Sequence, residues 1–255
     1  MIGPPPSALA MRMLVLELEP LALVTRPKVY GIEHVPGSGS LLVGNHTIYG
    51  LLDVPFMIAE LWKRRQIAVR FLGAHEHYAF PVWAALLERG GMVRGTRANT
   101  HELMRRGETI VVFPGGAREV NKRRGEKYQL MWKQRVGFAR LAIEHGYPIV
   151  PFAAVGAEEM LDVVIDEDNP AFARLSRAVE KLTGWHMLPI VRGVGPTPLP
   201  RPQRLYFWFG APIETAHLAG RPEERAARSV RGEVERAVEE GIAFLLNERA
   251  LDGDR

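Results

Sequence analysis

Three short stretches of this 255-residue chain contain almost nothing that needs water: Leu41-Leu42-Val43, Thr109 to Phe113 and Ile149 to Val155. A strand with one wet face alternates apolar and polar residues, whereas a short unbroken apolar run fits a strand covered on both faces, as in a parallel sheet between helices. Lys28 to Ile32, Val69 to Leu72 and Leu205 to Phe209 read as further strands. Between them the apolar spacing turns helical, over Leu51–Trp62, Trp83–Leu87, Asn99–Arg106 and a long Tyr128–His145. Glu223 to Leu246 reads as a charged helix with Val230, Val234, Val238 and Ile242 along one stripe. Alternation of this kind predicts an α/β fold, a mostly parallel central sheet flanked by helices.

Residues 160–204 break the rhythm, with a helical stripe at Phe172, Leu175, Val179 and Leu182 followed by Gly184-Trp185 and a Pro-rich loop through Pro202. The chain therefore divides into an N-terminal apolar or amphipathic segment, residues 1–27, and a single domain over 28–255 with an insertion at about 160–204. Within the first segment, Leu9, Met13, Leu14, Leu16, Leu18, Leu21 and Leu23 allow a helix on a bilayer or on the domain itself, and packing on the domain is the expectation. Arg12, Glu17, Glu19 and Pro20 interrupt it well short of the roughly 18 to 20 apolar residues that span a membrane. With no leader-like pattern either, the expected location is the cytoplasm, peripheral on the inner face of a membrane.

Lys and Arg number 33 against 29 Asp and Glu, a formal charge of only +4, which gives no nucleic-acid-binding tail. The absence of cysteine excludes a thiolate nucleophile, a disulfide framework and a cysteine zinc site. No Gly-x-Ser-x-Gly elbow occurs, and the five serines lie outside any strand-to-helix turn, which argues against a serine-hydrolase triad.

Gly44-Asn45-His46 follows directly on a buried strand, where parallel sheets bind ligands. Imidazole there can take a hydroxyl proton near neutral pH if a carboxylate supports it, and the same tripeptide equally serves as a polar helix start. Asp53 is the nearest downstream acid; on a continuous helix it would stand about 10 Å along the axis from His46. Contact therefore requires a turn over Thr47 to Gly50. The run Phe113-Pro114-Gly115-Gly116-Ala117-Arg118-Glu119 ends a strand in glycines whose amides suit an oxyanion, although a plain tight turn explains them as well. Arg94 and Arg97, in a loop, suit an anion. His75 and His77 form a His-x-His pair that with His46 allows a metal-dependent hydrolase; no metal is the expectation.

Taken together, these blocks resemble the glycerolipid acyltransferase superfamily, in the branch of phytyl ester synthases and diacylglycerol-acyltransferase-like proteins, over about Tyr30 to Glu214. Asn45-His46 with Asp53 is similar to the family's catalytic motif, Arg97-Ala98-Asn99 to its Arg-x-Asn block, Phe113 to Arg118 to its Phe-Pro-Glu-Gly-Thr-Arg block, and Ile149-Val150-Pro151 to its fourth. Six residues rather than four separate His46 from Asp53, with Leu51 where the Asp would stand, and Gly115 replaces the family's Glu. Both departures look like the phytyl-ester-synthase branch. The resemblance implies transfer of a fatty acyl group from an acyl-CoA or acyl-carrier-protein thioester to the hydroxyl of a lipid acceptor (diacylglycerol, lysophospholipid or long-chain alcohol). His46 and Asp53 would be catalytic, and Arg97, Pro114, Gly115, Gly116, Arg118 and Glu119 would bind substrate. No cofactor beyond the thioester is implied, and the partner is a membrane surface. Asp53, Glu119 and Glu76 all remain open as the carboxylate that orients His46. A lipid-binding protein of the same fold without chemistry is the alternative.

Overall fold

The computed structural model describes residues 2–50, 52–74, 77–78, 81–183, 187–219 and 223–252. After helix α1 (Ala8–Thr25) the chain runs β1 (Lys28–Tyr30), β2 (Leu41–Gly44), α2 (Val54–Arg65), β3 (Val69–Gly73), α3 (Pro81–Arg89), β4 (Met92–Arg94), α4 (Arg97–Arg105) and β5 (Thr109–Val112). It continues with the single turn α5 (Ala117–Val120), then α6 (Gly137–His145), β6 (Ile149–Val155), β7 (Asp162–Ile165), α7 (Pro170–Thr183), β8 (Ile190–Arg192), β9 (Tyr206–Phe209) and α8 (Glu223–Leu251).

Seven strands form one sheet in the order β1-β9-β6-β2-β5-β3-β4. β4, β3, β5, β2 and β6 are parallel, while β9 is antiparallel to β6 and carries β1 alongside it. The unbroken apolar runs have the predicted cause: alternate residues enter two separate cores. Leu41 and Val43 of β2 pack with α4, α6 and the Val230–Val234–Val238–Ile242 stripe of α8, whereas Leu42 packs with Phe56, Met57 and Leu61 of α2. Because β5 and β6 flank β2, the carboxyl ends of three strands converge where the loop after Gly44 begins.

Three expectations change. The helix read over Tyr128–His145 begins only at Gly137. Upstream, Tyr128 and Lys133 adopt left-handed φ of 59° and 51°, and the Tyr128 and Met131 amides donate to the Glu158 and Glu119 carboxylates. Buried acids thus satisfy donors that a helix would have paired with its own carbonyls, and the apolar content of the segment is explained by Trp132, which is fully buried. Residues 160–204 contain, besides the expected α7, the antiparallel pair β7–β8. Arg94 and Arg97 are not loop residues: one ends β4 and the other starts α4, whose N-cap is Thr96. Leu51, His75, Glu76 and Gly184-Trp185 lie outside the described residues.

Helix α1 is capped by Ser7 and packs through Met11, Leu14, Leu18 and Ala22 into the same core as α2. Its opposite face leaves Leu9, Met13, Leu16, Leu21 and Leu23 exposed. No described helix is long and apolar enough to cross a membrane.

Candidate active site

Where β2 ends, Asn45 continues the sheet with its side chain: its Nδ2 donates to the Ala154 carbonyl and its Oδ1 accepts from the Ala154 amide, both at 2.9 Å. This reciprocal pair fixes the backbone just before His46. The His46 amide donates in turn to Glu119 Oε2 at 2.9 Å. The imidazole lies on the Phe113 ring, 3.9 Å between centroids and 12° from parallel. Its other side is closed by Gly50, where a Cβ would come 2.2 Å from His46 Cε1. Gly50 also has a φ of +63°, so only glycine both makes this turn and leaves room for the ring. Between these walls His46 Nδ1 is buried, with no hydrogen-bond partner among the described residues. Desolvation, reinforced by the Lys122 ammonium and by His77, pushes the imidazole down from 6.5 to about 3, so the ring is neutral at physiological pH.

The turn that contact with Asp53 required does form, closed by the Gly50 amide on the Thr47 carbonyl at 3.0 Å. The carboxylate nevertheless goes elsewhere: Asp53 Oδ1 accepts from the Thr47 hydroxyl at 2.9 Å, and both residues are buried. Burial pushes Asp53 up from 3.8 to about 6, against the opposing pull of Thr47, the Asp53 and Val54 amides and Lys122. Asp53 is therefore a neighbour in the same loop rather than the hydrogen-bonded orienter of the ring. Thr47 is one residue nearer along the chain and its hydroxyl can turn to the acid, an outcome that spacing alone does not reveal.

Glu119, expected to touch substrate, is instead a structural bridge. It is fully buried, with Oε2 on the His46 amide and Oε1 on the Met131 amide at 2.8 Å. A Cβ on Gly115 would lie 2.1 Å from the Glu119 carboxyl carbon. A side chain at 115 thus has no room: the acid at 119 fills that space and holds the histidine loop. Arg118 likewise turns away from an open site, with Nη1 on the Asn121 carbonyl and Nη2 on Glu126. The Pro114 and Gly115 carbonyls accept from Arg135, and the Gly116 amide closes a turn on Phe113. Of the expected oxyanion amides, that of Gly115 remains the candidate. Arg97, 70% exposed, reaches Glu144 at 3.4 Å and His101 rather than His46.

Sequence reasoning passed over Lys122, Glu158 and Arg135. Lys122 is buried against Glu158, and its ammonium acts on His46, Asp53 and Glu119 together. The signal was only a lysine in a basic run, Asn121-Lys122-Arg123-Arg124. Among the described residues the one group with clustered metal-ligand types is His101, Glu144 and His145, on α4 and α6; it contains neither His46 nor His77. His77 accepts from the Trp83 indole at 3.2 Å, and His75 lies outside the described residues.

A family model described as Acyltransferase matches residues 26–155, about half of the chain, including His46, Asp53, Phe113, Glu119 and Lys122. The chain belongs to this acyltransferase family. The chain is 32% identical over 248 residues to phytyl ester synthase 1, chloroplastic, of Arabidopsis thaliana, a match covering 88% of this chain and 35% of the plant protein. It is 28% identical over 124 residues to the mouse DGAT1/2-independent enzyme synthesizing storage lipids, covering 49% of this chain and 37% of that one. The chain thus spans about a third of the length of these relatives. In fold it is similar to the 1-acyl-sn-glycerophosphate (LPA) acyltransferase PlsC of Thermotoga maritima, with a TM-score of 0.54 at 18% identity over 90% of this chain and 80% of that one.

Proposed function

We propose that this acyltransferase moves a fatty acyl group from a phosphopantetheine thioester, acyl-CoA or acyl-carrier protein, to the hydroxyl of a lipid, with His46 as general base. The observation that carries the reading is the neutral imidazole at the carboxyl edge of the sheet, stacked on Phe113, its buried Nδ1 without a hydrogen-bond partner among the described residues, which leaves Nε2 to meet the hydroxyl. His46 takes the proton of the acceptor hydroxyl as its oxygen attacks the thioester carbonyl. The Gly115 amide faces the tetrahedral oxyanion, and collapse expels the thiolate, which recovers the proton from the imidazolium. The depressed basicity of the ring requires a nearby negative charge once it is protonated. Ionised Asp53, in the same loop, supplies it through space rather than through a hydrogen bond. The step needs no metal or redox cofactor.

An uncharged acceptor, diacylglycerol or a long-chain alcohol, is favoured over a lysophospholipid. Arg97 is engaged by Glu144, Arg118 by Glu126, and Gly115 stands where the phosphate-acceptor branch has Glu. The names of the plant and mouse relatives point the same way. Such acceptors reside in a membrane, and α1 carries apolar residues on two faces, with the exposed Arg12, Glu17 and Glu19 at their margins. One face fills the core and the other presents Leu9, Leu16 and Leu23, as a helix lying on lipid would. Flotation with lipid vesicles tests this, and loss of flotation on changing those three leucines to serine is the expected result.

The decisive experiment is His46→Ala with vesicle-presented acceptor and thioester donor. General-base catalysis contributes about 10²- to 10⁴-fold, and a loss of that size at unchanged fold is expected. A second reading, a lipid carrier without chemistry, is favoured by the missing His46–Asp53 hydrogen bond. Lipid binding without turnover by the wild type across all donors would establish it.

A further inference from the structure

Acyl transfer at His46 leaves unexplained a cavity of about 540 Å³ that begins at Ile48, two residues along the same loop. The two walls are joined directly: the Tyr49 amide donates to the Val120 carbonyl at 3.2 Å, just before the segment that supplies Lys122. Five basic side chains line the cavity, from Lys122, Arg123, Arg124, Lys127 and Arg192, against two carboxylates, Glu158 and Asp162. Ile48, Leu161 and Val163 give it an apolar side. Lys122 and Arg123 are closely paired, with Glu158 and with Asp168, and Arg124 donates to the Val164 carbonyl. Lys127 and Arg192 are different. Their acids lie 3.9 and 4.0 Å away, and the side chains are 46% and 58% exposed, so both ammonium and guanidinium groups keep donors for an anion.

We infer that this basin holds the phosphate of the donor's phosphopantetheine arm, so that the thioester passes over Ile48 to His46. A phosphate attached to an extended, largely apolar arm matches a cavity with cations on one side and aliphatic side chains on the other. Lys127, Arg192 and the β7–β8 pair then set donor affinity, not the rate of chemistry. Arg192 and most of the apolar side come from residues 160–192, beyond the span matched by the family model, so this wall is supplied by the insertion. The insertion is also pinned to the catalytic loop, since the Tyr49 hydroxyl donates to the Pro189 carbonyl at 2.6 Å.

The inference rests on His46 being the site of transfer, and the test separates the two. The full chain carrying Lys127→Ala and Arg192→Ala is compared with wild type on acyl-CoA, on acyl-carrier protein, and on the phosphate-free N-acetylcysteamine thioester of the same acid. KM for the phosphate-bearing donor is expected to rise about tenfold with kcat within about twofold, as for loss of uniform binding. KM for the N-acetylcysteamine thioester should not change. A rise for both natural donors assigns the basin to the phosphodiester they share, a rise for acyl-CoA alone to its nucleotide phosphates, and a rise for acyl-carrier protein alone to the carrier's arm. Calorimetric titration with 4′-phosphopantetheine, which involves no chemistry, should show wild type binding more tightly than the double variant. This holds even if His46→Ala retains turnover and the base assignment falls. Unchanged KM for every donor, or an equal change for the phosphate-free thioester, would overturn the inference.

Discussion

Two regions that share a loop treat polar groups in opposite ways. On the shelf formed by Phe113 and Gly50, the His46 ring is walled by carbon and its Nδ1 has no partner among the described residues. In the adjoining basin, nearly every charge has a protein partner, including a Lys122–Glu158 pair with both side chains buried. A buried polar atom without a partner costs roughly 1–3 kcal/mol; among the described residues Ser40 Oγ, Thr109 Oγ1 and Trp132 Nε1 are others, and His46 Nδ1 differs in belonging to a ring that can carry a proton. The difference teaches that the shelf is prepared to exchange a proton, whereas the basin is prepared to hold a charge. Glu119 anchors the shelf, since it binds the His46 amide on one side and the amide of Met131 on the other.

Removing that anchor should give the largest effect. Glu119→Ala leaves two amides without acceptors at a buried position, which amounts to about 2–6 kcal/mol of lost stability. Urea unfolding with an unchanged m-value is the appropriate measure. Activity should fall with it, because the loop carrying His46 loses its anchor. A near-neutral result would mean that the shelf is held by the Asn45–Ala154 pairing alone.

The second test exploits opposite titrations on the shelf itself. His46 has a folded pKa depressed to about 3, so between there and 6.5 only the unfolded chain takes up its proton. Its contribution to stability is present above pH 6.5 and is lost as the pH falls. Asp53 is raised from 3.8 to about 6, so in that window the folded chain holds the extra proton, and stability is lost as the pH rises. In wild type the two slopes oppose each other. Replacing His46 by Ala should expose the Asp53 slope, so that the variant gains stability relative to wild type as the pH falls from 6.5, by up to about 1.4 kcal/mol per unit. A difference independent of pH would mean that the ring is as well solvated as an ordinary surface histidine.

What the sequence made legible follows the range of the forces involved. The core strands were readable because continuous burial leaves a local mark, and the α8 stripe for the same reason. The Tyr128–His145 segment misled because its apolar residues are buried as irregular chain, with amides satisfied by Glu119 and Glu158 from elsewhere. β7 and β8 are short, and β8 exposes Ile190 and Arg192, so neither shows a core pattern. His46 was findable by its position after β2. Lys122 was not, since its burial depends on Glu158, 36 residues away. The fate of Asp53 lay between these cases: the turn was foreseeable, but Thr47's prior claim on the carboxylate was not.

That claim sets the smallest of the expected effects. If Asp53 acts through space, ionisation rather than hydrogen bonding is what matters, and its charge is lost as the pH falls through about 6. His46, neutral down to about 3, imposes no limb of its own on the free enzyme in that range. The wild-type kcat/KM should therefore decline below pH 6 as Asp53 takes a proton. Asp53→Asn should lower the plateau about tenfold, the equivalent of one pKa unit of imidazolium stabilisation, and should be flat across pH 5 to 7. The two profiles then converge in acid, where wild type carries a neutral Asp53 and resembles the variant. If the limb persists in Asp53→Asn, it belongs to the imidazole, the ring titrates as an ordinary histidine, and the contrast between an apolar shelf and a charged basin fails at its centre.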